Sequence, residues 1–168
     1  MEFDKVIRER CSTRKFSDKL LEQDKLDKIL EAGRIAPTAV NKQPFKVYVV
    51  RSKDGLSKID KATRYRYVAP VVLMILGNKN EAYSRDDYSS YEMDSTIVAT
   101  HMMLEATNIG VSNIWIKLYD SDVLKNEFNL PDNLIPVCLM PIGYRADDCP
   151  QSMHHNTRKS IDKIVEYR

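Results

Sequence analysis

An α+β fold with one sheet as its central layer is predicted by three features of the sequence. Helical and strand-like stretches do not alternate in the regular βαβ order of a doubly wound fold. The run at 71–77, VVLMILG, is apolar at nearly every position, which suits a strand covered on both faces. No GxGxxG follows any strand, which removes the dinucleotide-binding alternative. With 168 residues, 43% of them hydrophobic, the chain is the size of one domain spanning 1–168 and can bury a substantial core.

In chain order, residues 3–10 form a short helix, with Phe3, Val6, Ile7 and Arg10 at helical spacing. Residues 22–34 place Leu26, Ile29, Leu30 and Gly33 on one face, with Glu22 and Asp24 in the first turn, and Pro37 stops this amphipathic helix. The β-branched and aromatic FKVYVV at 45–50 is a strand, and 54–62 a short surface helix. After the strand at 71–77, the polar stretch 78–92 carries Tyr83, Tyr88 and Tyr91 and reads as a loop shaping a pocket wall. Residues 93–109 are apolar around most of a helix, so that helix is buried or shared with a partner. A third strand at 114–118, a short helix at 124–128 and a fourth strand at 137–143 follow. The tail 147–157 has no periodicity, and Ile161, Ile164 and Val165 form a last apolar patch. There is no internal repeat and no low-complexity segment.

Twenty-six Lys and Arg against 24 Asp and Glu leave a net charge of +2, too small for a nucleic-acid footprint. Cys11, Cys138 and Cys149 are odd in number and form no CxxC, so neither a disulfide framework nor a zinc site is indicated and a reducing cytoplasm is expected. The start of the chain is charged from its second residue. The longest apolar run, 68–77, is short and interrupted by Pro70, so neither export nor membrane insertion is expected.

Two stretches carry the chemistry. In RCSTRKF, residues 10–16, Arg10, Arg14 and Lys15 surround the hydroxyls of Ser12 and Thr13, and Phe16 fixes the end. Guanidinium forks match phosphate oxygens, so this is either an anion cradle or a solvated basic turn after a helix. In APTAVNKQPF, residues 36–45, Pro37 and Pro44 bracket small and amide side chains, with Gln43 held extended by Pro44. Such a loop either lets a flat ligand approach the backbone, with Asn41 offering a donor and an acceptor, or is an ordinary connection.

In this order, separated by one helix, the two stretches resemble the FMN-dependent nitroreductase family, whose members read like R-x-S-x-R-x-F and then A-P-S-x-x-N-x-Q-P-W. The matching residues are Arg10, Ser12, Arg14 and Phe16, then Ala36, Pro37, Asn41, Gln43 and Pro44, with Phe45 where tryptophan is common. The resemblance implies a mostly antiparallel sheet flanked by helices in three layers, in a homodimer with FMN at the subunit interface. It implies Arg10, Ser12, Arg14 and the distant Arg158 at the phosphate, with Cys11 standing where a basic residue or histidine is usual. It implies Pro37, Thr38, Ala39 and Asn41 as a ring wall supplied by the partner subunit. The family's G-x-G-x-x-W-I-G segment is matched by Trp115 and Ile116, with Lys117 in place of the small residue whose backbone N–H faces flavin N5. Lys117 either hinders that approach or adds positive charge beside the ring. Arg64 and Arg66 are equal candidates for the cation the family places at the other ring edge, or are simply a solvated pair.

The activity so implied passes hydride from NADH or NADPH through the flavin to a nitroaromatic, quinone or similar acceptor, in alternating half-reactions. Flavin N5 carries the chemistry and no catalytic side chain is required. A related flavin reaction such as reductive dehalogenation, or a flavin-binding protein with little turnover, are the alternatives. Other conspicuous residues have plainer readings. His154-His155 lacks metal-ligand spacing, and Met102-Met103 is packing. Asp86, Asp87, Glu92 and Asp94 read as a solvated acidic loop, Cys11 as a spectator, and Trp115 as core filler as readily as a flavin neighbour.

Overall fold

The computed structural model describes residues 2–168. A four-stranded sheet forms its middle layer, built from β1 (Phe45–Val50), β2 (Val71–Asn78), β5 (Ser112–Asn113) and β6 (Leu134–Gly143). The strand order is β1-β2-β6-β5 and every neighbouring pair is antiparallel. All eight residues of β2 are buried, because β2 is central in the sheet and both of its faces are covered. Alternation along the strand divides the core. Val72, Met74 and Leu76 face the layer of α3 (Lys53–Ala62) and α5 (Ser121–Glu127), while Val71, Leu73 and Ile75 face α2 (Gln23–Arg34) and α4 (Tyr91–Asn108).

The helices begin where the sequence supplies caps. The Ser52 hydroxyl accepts from the Gly55 N–H at the start of α3, and the Asp120 carboxylate accepts from the N–H groups of Asp122 and Val123 at the start of α5. At its other end α4 stops at Gly110, whose φ of 75° suits a residue without Cβ, and the Val111 N–H returns to the Ala106 carbonyl. The short α1 (Phe3–Glu9) buries only Val6.

Three departures from the sequence expectations have local causes. The stretch 78–92 is not all loop: β3 (Ser84–Arg85) and β4 (Tyr88–Ser89) pair as a small hairpin, closed by Asp86 at φ 52°, a conformation aspartate tolerates. The expected strand at 114–118 is reduced to Ser112–Asn113 plus a bridge between Ile116 and Leu139. Ile114 lies opposite Pro141, and proline has no N–H to continue the ladder. Lastly, the β2–β6 register slips between Ile75 and Leu76, leaving Val137 as an extra residue on β6.

Candidate functional site

The cradle stretch runs from α1 along the far edge of the sheet. The Thr13 N–H donates to the Asn113 carbonyl at 3.0 Å and Ser12 bridges Asn113 in parallel, so the segment extends the β5 edge. Further on, the Ser17 N–H donates to the Tyr144 carbonyl at 2.8 Å and Phe16 is buried in the core. Held this way, Arg14 is exposed while Arg10, Cys11 and Ser12 are half-buried. Among the described residues neither the Arg10 nor the Arg14 guanidinium has an ion-pair or hydrogen-bond partner, so both forks are available to an anion. The expected roles of Lys15 and Thr13 need correction. Lys15 pairs with Asp148, whose carboxyl that bond holds below its ordinary range, and Thr13 is buried.

Arg158 sits on the tail, where its Nη1 donates to the carbonyls of Thr157 at 2.7 Å and His154 at 3.3 Å. With Ile7, Arg8, His155 and Asn156 it lines a cavity of about 340 Å³ against α1. The far end of the chain therefore comes back to the helix that leads into Arg10, and it adds Arg8, a cation the sequence motif does not single out.

The wall loop is locally strained. Val40, Asn41 and Gln43 all have positive φ, at 51°, 54° and 52°, and none is glycine. Left-handed backbone at such positions costs on the order of 1 kcal/mol or more per residue and persists only where neighbours over-determine it. Here the Asn41 N–H donates to the Thr38 carbonyl, the Gln43 N–H to the Thr38 hydroxyl at 2.9 Å, and the Ala39 N–H to Asp94 Oδ1 at 2.8 Å. Gln43 is thus not extended, contrary to the usual effect of a following proline. Its N–H is captured by Thr38 and its carbonyl accepts from Phe45, closing a tight turn around Pro44. Pro37 and Asn41 are exposed, and Thr38 and Ala39 half-buried.

Asp94 also departs from the solvated acidic loop expected of it. Its side chain is fully buried, with the Ser90 hydroxyl donating to Oδ2 at 2.7 Å and the Ala39 N–H to Oδ1. It lies in the first turn of α4, where the helix dipole favours a negative group. Nothing in the local sequence distinguishes Asp94 from Asp86, Asp87 or Glu92; its burial follows from the docking of α4 onto β2.

Glu92 in the same turn reaches the third candidate segment, where Lys117 Nζ donates to its carboxylate at 3.1 Å and to the Val137 carbonyl at 3.0 Å. The extra residue in β6 is therefore the one whose carbonyl meets the ammonium. Trp115 is half-buried against the α2–α4 side of the core, and Ile116 is buried on the opposite side. The Ile116 N–H donates to the Leu139 carbonyl, whereas among the described residues the Lys117 N–H has no acceptor. Arg66 is committed: its fork grips the Asp60 carboxylate at 2.7 and 2.6 Å and its Nη1 donates to the Ala69 carbonyl. Arg64 stays at the surface, donating to the Tyr65 hydroxyl.

A sequence model of the nitroreductase family matches residues 7–67 and 67–144, which takes in the cradle, the wall loop and the Trp115–Lys117 segment. The chain belongs to the nitroreductase family. A crystal structure of a nitroreductase family protein from Clostridium difficile 630 is 35% identical, covers 99% of this chain and 98% of its own, and superposes with a TM-score of 0.93. A protein of Archaeoglobus fulgidus, provisionally named NADH dehydrogenase/NAD(P)H nitroreductase, is 26% identical over 149 residues, 86% of each chain. A provisionally described nitroreductase of Exiguobacterium sibiricum 255-15, solved in complex with FMN, shares the fold at a TM-score of 0.88 and 20% identity, covering 100% of this chain and 98% of its own. The antiparallel sheet flanked by helices is thus the nitroreductase fold. Among the described residues no helix is long and apolar enough to cross a membrane.

Proposed function

We propose that this nitroreductase-family chain is an FMN-dependent oxidoreductase that takes hydride from NADH or NADPH and passes it to a nitroaromatic, quinone or similar acceptor in alternating half-reactions. The observation that carries the reading is the pinned cradle, in which Arg10 and Arg14 keep unpartnered guanidinium groups around Ser12. The donor set fits a phosphorylated flavin: cations for the phosphate, with Arg158 and Arg8 approaching from the tail side, and a loop of small and amide residues for a flat ring.

In this reading Arg10, Ser12, Arg14 and Arg158 hold the phosphate, with the Cys11 backbone beside them. Pro37, Thr38, Ala39 and Asn41 form the ring wall, and Trp115, Ile116 and Lys117 lie along the reactive edge. Bound FMN supplies the hydride acceptor and donor. The chain's own contribution is to position reactants and exclude water, and no side-chain acid or base is assigned. The unengaged Lys117 N–H is one backbone donor available at that edge. The ammonium of Lys117, paired with Glu92 at 3.1 Å, adds positive charge at that edge.

The working unit is read as a homodimer of single-domain subunits, with the wall loop of one subunit completing the site of the other. Exposed Phe3, Ile7, Ile35 and Val40, and Ile161, Ile164 and Val165 in the tail, are apolar side chains that a second copy would cover. A reducing cytoplasm is the compartment expected from an odd number of cysteines without a CxxC.

The test is the visible spectrum of purified protein incubated with FMN and freed of excess, before and after anaerobic NADH and then NADPH. Flavin bands that bleach on addition establish a bound, reducible cofactor. Bands that persist with both donors favour a binding protein without this turnover, and absence of bands sinks the assignment of Arg10, Ser12 and Arg14.

A further inference from the structure

The wall loop is held in an unfavourable conformation, and among the described residues the group that hydrogen-bonds residues 37–43 from outside is a single buried carboxylate. Val40, Asn41 and Gln43 sit left-handed, and most bonds within residues 37–43 are internal: the Asn41 and Gln43 N–H groups end on Thr38, the Lys42 N–H on the Ala39 carbonyl, and Gln43 Nε2 on Asn41. The bond from the Ala39 N–H to Asp94 is the one that ties residues 37–43 to a rigid element, while the Pro44 carbonyl just beyond them accepts from the Asn78 N–H of β2. Asp94 is the only carboxylate among the described residues that is fully buried. Its second oxygen accepts from Ser90, itself fully buried at the start of α4, so the carboxylate is fixed from behind before it meets the loop. The same helical turn holds Lys117 through Glu92.

Resting on the flavin reading above, we propose that Asp94 is a positioning residue of the flavin site. Its buried carboxylate latches the backbone of Ala39, holds residues 37–41 in the strained conformation of the ring wall, and registers that wall to the first turn of α4. It touches no reactant. Without it, the left-handed residues relax toward ordinary backbone and the wall loses its single shape. The loss then appears in cofactor binding more than in global stability, because the loop is exposed and adds little to the core.

Asp94→Ala removes the acceptor, whereas Asp94→Asn keeps one side-chain oxygen for the Ala39 N–H. Ala39→Pro deletes the donor instead and sets a ring carbon where the N–H was, so the Asp94 carboxylate, still present, must withdraw from the loop. The preceding Thr38, at φ −136° and ψ 160°, already has the backbone that precedes proline comfortably. Each variant is purified, shown to melt cooperatively, and titrated with FMN by fluorescence, and the visible circular dichroism of the bound flavin is recorded. Asp94→Ala and Ala39→Pro are expected to weaken FMN binding by about tenfold or more and to change the flavin dichroism, the loss of roughly one hydrogen bond to a charged group. Asp94→Asn is expected to restore binding to within about threefold of the parent.

Parent protein that binds FMN, alongside Asp94→Ala and Ala39→Pro variants with the same affinity and the same dichroism, overturns the latch alone. Parent protein that does not bind FMN overturns the flavin reading and the latch with it. Should Asp94→Ala fail to fold, Ala39→Pro decides between these outcomes.

Discussion

Gly77→Ala tests how tightly the first turn of α4 is seated on β2. A Cβ at Gly77 would lie 2.5 Å from Tyr91 Cδ2, 3.0 Å from the Tyr91 carbonyl oxygen and 3.2 Å from Ser95 Oγ. The Tyr91 ring is half-buried and can swing away, but the carbonyl belongs to the helix backbone and moves only if the turn retreats. Gly77 is itself held between Phe45 and Ile135 in the sheet, so the strand cannot give way instead. Overpacking against backbone costs about 1–3 kcal/mol. For a domain of this size each kcal/mol shifts the melting temperature by about 2–4 °C, so a drop of roughly 4–8 °C is expected for a cost of about 2 kcal/mol. The assay is thermal unfolding by circular dichroism at matched protein concentration, repeated with saturating FMN. The retreating turn carries Glu92 and Asp94, so under the proposed flavin site the variant is also expected to bind FMN more weakly. A variant melting within about 1 °C of the parent, with unchanged affinity, would refute the argument that this turn has no room to move.

Arg10→Ala and Arg14→Ala each remove an unpartnered fork from the proposed phosphate site, and each is expected to weaken FMN binding about 10- to 100-fold by equilibrium titration. Their thermal stability without FMN should hardly change, since neither guanidinium bonds to the described protein. Lys117→Ala is expected to lower the reduction potential of bound flavin and Glu92→Gln to raise it, because the first removes a cation and the second its counter-charge; potentiometric titration reads both. Tyr144→Phe probes the group formed by Glu22, Lys25 and the Tyr144 hydroxyl. The Tyr144 bond lowers the Glu22 carboxyl from 4.5 and raises the Lys25 ammonium from 10.5. The first contribution is lost as pH falls through the depressed Glu22 value and the second as pH rises through the elevated Lys25 value. The stability gap between parent and variant is therefore expected to be widest between about pH 4.5 and 10.5 and to narrow on either side, as read by urea unfolding across pH.

The secondary structure was legible wherever side-chain chemistry is periodic over a whole element. FKVYVV becomes a strand with the bounds its β-branched run announces, and the apolar 71–77 run becomes the central strand, extended by one residue. What escaped depended on partners distant in the chain. Lys15 looks like part of a cradle until Asp148 arrives beside it, and Gln43 looks extended until Thr38 captures its N–H. Asp94 is indistinguishable from its acidic neighbours until α4 docks, and Arg66 from Arg64 until Asp60 faces one of them. The two motif stretches stand out in the sequence because backbone conformation and local charge are properties of short segments. The groups that hold those segments in place are tertiary, and no short window of sequence contains them.

The pairing of β2 with β6 also governs how the chain reaches this structure. Val71 pairs with Ile142 and Asn78 with Leu134, so the central, wholly buried strand waits for residues near the end of the chain before its second edge is satisfied. Contacts of such long sequence separation form late and slow folding. On a ribosome, β1, β2 and α4 emerge well before β6, and in that interval β2 offers an apolar, unpaired edge to any other nascent chain. A chain truncated before residue 134 would keep that edge permanently. Such a fragment is expected to collect in inclusion bodies even though residues 10–16 and 36–45 both lie within it.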